Sequence, residues 1–105
     1  MIGIINTESQ NIGSIINCLK YLNIDSSIIE NQSQLKRFKK IILPGVGSFD
    51  SVMEALENKK FLDKDFNKIL LSKKVLAICI GMQILFASSE EGKKKGLNLF
   101  NNKLK

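Results

Sequence analysis

The chain has 105 residues, 44% hydrophobic and 25% charged, with a net charge of +6 at pH 7. That is the size and composition of one small globular domain with a single core. The sequence contains no apolar run of about 18 residues and no secretory leader pattern, which excludes a membrane-spanning helix and points to a cytoplasmic protein. Cys18 and Cys79 stand far apart, without a CxxC pattern or any histidine, so neither a disulfide framework nor a zinc site is expected.

In chain order, Met1 to Asn6 (MIGIIN) is a run of β-branched residues and predicts a buried strand. Ile12, Ile15, Ile16, Leu19 and Leu22 then form one stripe of an amphipathic helix, capped at Ser9 or Asn11, with Cys18 at its packing edge. Ser26 to Ile29 predicts a second strand, and the polar stretch Glu30 to Gln34 a connection. Lys40 to Leu43 predicts a third strand, ended by Pro44, which lacks the N–H a sheet ladder needs. Phe49, Val52, Met53 and Leu56 mark another helix behind a Ser48 cap, and Leu62, Phe66, Ile69 and Leu70 a further helical face. Val75 to Cys79 predicts a fourth strand, followed by a helix from about Gly81 to Ala87. In the polar remainder, Leu97, Leu99 and Leu104 suggest an edge strand. Strands that are apolar throughout, alternating with helices, predict an α/β fold: a mostly parallel sheet with helices on both faces.

The basic charge raises nucleic-acid binding, but Arg37 is the lone arginine among 16 basic residues, and base and phosphate readers lean on arginine forks. The lysines fall in short pairs along the whole chain, as solvated faces do, and no nucleic-acid partner is expected.

Two stretches lie at carboxyl ends of strands, where open α/β sheets bind ligands. PGVGSF (Pro44 to Phe49) follows the third strand and CIGMQ (Cys79 to Gln83) the fourth. A sharp strand-to-helix turn around a nucleophile needs small residues two before and two after it, and Ala77 and Gly81 stand there. A cysteine at such a place is as readily an inert core residue, and a lone G-x-G as readily a tight turn. Together they fit one chemistry. A nucleophilic thiol needs N–H donors for a developing oxyanion, one from the residue after it, Ile80, and one from a nearby loop in which Gly45 and Gly47 permit close backbone approach.

ILPGVGSFD, followed by AICIGMQILFASSEEG and GLNLF, resembles the glutaminase subunits of imidazole glycerol phosphate synthase, within the class I glutamine amidotransferase family. The resemblance covers nearly the whole chain. In NTESQNIGSI it is weaker, keeping Asn11 and Ser14 of the family's opening pattern. It implies a flavodoxin-like class I glutamine amidotransferase fold, truncated: residues 1–105 would be the N-terminal half of a single domain, since the family activates its cysteine with a histidine and an acidic residue further on. By the same resemblance, Cys79 is the nucleophile and Gly47 and Ile80 donate to the oxyanion. Gly45, Gln83 and Glu91 would hold L-glutamine, Glu91 through its α-ammonium. No cofactor or metal is implied. The implied partner is a (β/α)8 cyclase or synthase subunit that receives ammonia and makes imidazole glycerol phosphate and AICAR for histidine biosynthesis. A paralogous subunit serving amidation of bacterial surface sugars is the nearest alternative. A non-enzymatic flavodoxin-like binding module is a more distant one, since it leaves PGVGSF and CIGMQ unexplained together.

Overall fold

A computed structural model of the chain describes residues 1–8, 11–45, 48–62, 65–78, 84, 86–89, 97 and 100–104, with the backbone alone for 86–89 and 100–104. Its centre is a parallel sheet of β1 (Ile2–Ile5), β2 (Ser26–Ile29), β3 (Lys40–Leu43) and β4 (Lys74–Ala77), in the order β2-β1-β3-β4. The expected α/β class is the one observed.

The central strands β1 and β3 are apolar on both faces because both of their faces are covered. Ile4 and Ile42 join Ile12 and Leu19 of helix α1 (Ile12–Tyr21) in one core cluster. Ile5, Ile41 and Leu43 face the other way, into a larger cluster with Phe49, Val52, Met53 and Leu56 of α2 (Phe49–Asn58) and Phe66 and Leu70 of α3 (Phe66–Leu71). Side chains alternate along a strand, so a strand buried on both sides has no polar period to display. Gly3, on the larger cluster's side, has no room for a side chain: a Cβ there would lie 2.5 Å from Ile29 Cδ1 and 2.7 Å from Phe38 Cγ.

Helix ends follow local chemistry. Ser48 caps α2, its Oγ accepting from Ser51 N at 3.0 Å, and Asp50 in the first turn suits the positive end of the helix dipole. At the other end, Lys60 N donates to Glu57 O and Phe61 N to Leu56 O, with Lys60 in the left-handed region at φ 61°. This is a Schellman closure, and buried Phe61 and Leu56 supply the apolar contact that accompanies it. Helix α1 closes in the same way around Asn23, φ 60°, with Ile24 N donating to Leu19 O at 2.8 Å.

Several expectations need correction. Helix α1 stops at Tyr21, so Leu22 leaves the stripe and is 56% exposed. Cys18 is exposed rather than at a packing edge. Asn11 holds the N-cap position of α1 without a side-chain capping bond. The connection after β2 contains a 3-10 helix, Gln32–Arg37, capped by Asn31 and anchored by buried Leu35. Leu62 precedes α3 and packs half-buried against the larger cluster. The helix expected to reach Ala87 does not: Phe86–Ser89 forms β5, parallel to β6 (Phe100–Leu104) in a separate two-stranded sheet. An apolar run as short as Ile84 to Phe86 has no decisive period, and aromatic Phe86 suits a strand. Leu104 lies in β6 as expected, whereas Leu97 is buried in the larger cluster outside any strand.

Candidate active site at the carboxyl end of the sheet

The chain runs from β1 through α1 to β2 on one side, then returns across β1 to β3 and β4 on the other. The direction of winding therefore reverses between β1 and β3. In open α/β sheets the crevice at this reversal, beyond the carboxyl ends of the strands, is where ligands sit. The loops after β1 and β3 meet here. Thr7, 3% exposed, is the buried polar side chain among the described residues, and its hydroxyl donates to the Pro44 carbonyl at 2.8 Å. Pro44 and Gly45 are buried beside it.

Around this contact lies a polar rim. Asn6 Nδ2 donates to Glu30 Oε1 at 2.6 Å, and Asn6 Oδ1 accepts from Glu8 N at 2.9 Å. Lys59 Nζ lies 3.7 Å from Glu30 and 4.0 Å from Glu8, whose backbone is left-handed at φ 58°. Both carboxylates are more than half exposed, so these pairs orient the rim and add little stability, about 0–1 kcal/mol each. Sequence reasoning placed Asn6 at the end of a strand and Glu30 in a connection, and linked none of these residues to one another. A threonine just after an apolar strand was the one available signal, while nothing in the sequence ties Lys59 to residues 8 and 30.

The β3 and β4 ends are in register. Leu43 pairs with Ala77, and Ile78 N donates to Leu43 O at 3.0 Å. Two residues beyond Leu43 comes Gly45, and two beyond Ala77 comes Cys79. Neighbouring parallel strands lie roughly 4.8 Å apart, so these strands lead PGVGSF and CIGMQ away from adjacent points on one edge. Of the predicted site residues, Gly45 is placed at this edge. Gly47, Cys79, Ile80, Gln83 and Glu91 lie outside the described residues.

Two recesses among the described residues lie elsewhere. A groove of about 300 Å³ involves Ile2, Leu19, Ile42 and Leu76, and a recess of about 510 Å³ lies among Lys39, Lys40, Ser72, Lys73 and neighbours. Lys40 and Lys74 are register partners at the first residues of β3 and β4, so the lysine-lined recess is at the amino end of the sheet, opposite the crevice. Most lysines there are exposed, as solvated faces are, and half-buried Lys73 donates to the Phe38 carbonyl at 2.7 Å. Among the described residues, no group of three or more His, Cys, Asp or Glu could hold a metal ion, and no helix is long and apolar enough to cross a membrane.

Residues 3–101 match the profile of glutamine amidotransferase class-I. The chain is 46% identical over 107 aligned residues to the imidazole glycerol phosphate synthase subunit HisH of Leptospira interrogans, covering 100% of this chain and 52% of that protein. The corresponding subunit of Leptospira borgpetersenii is 43% identical with the same coverage. That of a Prochlorococcus marinus strain is 39% identical over 99% of this chain and 49% of its own length. The chain thus spans about half the length of the curated relatives it matches. A match over nearly every residue, carried by a parallel sheet of the expected kind, places the chain in the class I glutamine amidotransferase family.

Proposed function

We propose that the chain carries the nucleophile and oxyanion loop of a glutaminase that supplies ammonia to imidazole glycerol phosphate synthase. The observation that carries this reading is the Leu43–Ala77 register, which sets side by side the ends of the two strands that PGVGSF and CIGMQ follow in sequence. In the proposed reaction the Cys79 thiolate attacks the side-chain amide carbon of L-glutamine, and the carbonyl oxygen becomes an oxyanion held by the Gly47 and Ile80 amides. The intermediate collapses, the C–N bond breaks, the nitrogen takes a proton and leaves as ammonia, and a thioester remains. Water cleaves the thioester to glutamate and restores the thiol. Gly45, Gln83 and Glu91 hold the amino-acid end of the substrate, with the Glu91 carboxylate on the α-ammonium.

The sequence contains no histidine. A free thiol is only a few per cent thiolate at neutral pH, so the base that activates Cys79, and returns a proton to ammonia, must come from outside these 105 residues. The relatives are about twice as long, and we assign that base to their other half. The proposed acceptor of ammonia is a (β/α)8 synthase subunit. The test is ammonia release from glutamine by this chain joined to the other half of the Leptospira interrogans relative. Turnover abolished by Cys79→Ala supports the reading, and turnover that survives it overturns the nucleophile.

A further inference from the structure

Thr7 is not among the residues that the proposed reaction uses, yet it is buried at the reversal of the sheet and spends its hydroxyl on a loop 37 residues away. The peptide it holds is unusual. On one side is Pro44, whose ring fixes φ, and on the other Gly45, the least restricted of residues. A trans peptide is planar, so its C=O and the next N–H point in opposite directions. Holding the Pro44 oxygen on Thr7 therefore aims the Gly45 N–H away from Thr7 and fixes the peptide from which the rest of the loop continues. A buried carbonyl requires a partner, and any rotation of this peptide gives up the one Thr7 provides.

We propose that Thr7 is a positioning residue for glutamine turnover: by tethering Pro44 it biases the loop after β3 toward the orientation in which its amides meet the oxyanion. This rests on the reading of that loop as part of the oxyanion site. A buried hydrogen bond of ordinary strength corresponds to roughly a tenfold bias between two loop orientations. Displacements of about 1 Å at reacting groups cost of the order of 100-fold in rate, so a bias of that size is felt in turnover.

The tether is tested first in the chain itself, by hydrogen exchange of a peptide covering residues 44–49. Thr7→Val keeps the shape and loses the hydroxyl, and about tenfold faster exchange is expected there, with Thr7→Ser near wild type. Unchanged exchange in Thr7→Val overturns the tether. Exchange of β2 serves as the control, and equal acceleration in both segments would mean general loosening and likewise overturn it. The catalytic consequence is read in the chain joined to the relative's other half. Thr7→Val should lose about tenfold in kcat with KM for glutamine within about twofold, and Thr7→Ser should restore it. Faster exchange with unchanged kcat overturns the positioning role. If the joined wild-type protein releases no ammonia, the glutaminase reading fails, and exchange still decides whether Thr7 holds the loop.

Discussion

At the scale of single residues, the two cysteines offer a direct comparison. Cys18 is exposed on α1, open to any thiol reagent, and Cys79 lies in the CIGMQ stretch proposed to carry the nucleophile. A general alkylating agent should therefore find Cys18 readily. A glutamine-like electrophile should instead modify Cys79 once the other half of the domain is supplied, because only that site would bind its amino-acid end. Peptide mapping showing Cys18 as the preferred target of the glutamine-like reagent would count against Cys79 as nucleophile. Gly47 offers a second residue-scale expectation. Gly47→Pro deletes the proposed oxyanion N–H and should lower turnover roughly 100- to 1,000-fold while glutamine binding changes much less. Steady-state kinetics in the joined protein check this, and near-normal kcat would reduce the loop to a turn.

At the scale of elements, what the sequence made legible was what burial imposes on composition. The four sheet strands were found to within two residues, the central β1 and β3 because each is apolar on both faces and the outer β2 and β4 from short runs of apolar, mostly β-branched residues, and α2 because its stripe and Ser48 cap are both written locally. The 3-10 helix was not legible: six residues are too few to show a period, and Leu35 is its single buried anchor. The end of α2 was hidden as well, since glycine usually marks a Schellman closure and Lys60 occupies that position here. At the candidate site, the two loops could be read from their glycines and cysteine, but the Thr7 contact joins residues from strands that only the fold makes neighbours. The closure carries its own prediction. Lys60 is exposed and left-handed, so Lys60→Gly relieves a side-chain clash without losing a buried contact, and should stabilise the chain by about 0.5–1 kcal/mol. Ser48→Ala, by removing a cap, should destabilise it by about 1 kcal/mol. Urea melts of both variants give the two signs, and a destabilised Lys60→Gly would contradict the strain assigned to that residue.

At the scale of the whole molecule, the chain by itself should release no ammonia from glutamine, since none of its residues can serve as the histidine base of the family. Cys79-dependent turnover by the 105 residues alone would overturn that account of activation. The uneven cover of the sheet matters at this scale too. Across the strands, register aligns Ile28, Ile4, Ile42 and Leu76 in one row facing α1. A helix about 10 Å wide covers two strands of four. Ile4 and Ile42 are accordingly buried, while Ile28 is 39% and Leu76 60% exposed. An outer strand carrying an open leucine is an invitation to the folding machinery of a cell: holdases grip such surfaces, and proteases remove chains that stay in their grip. The lifetime of this protein in a cell should thus be set by how fast Leu76 is covered. Leu76→Lys, which sacrifices little burial, should lengthen that lifetime in a pulse-chase measurement of the chain expressed alone, and an unaltered half-life would show that its turnover is governed elsewhere.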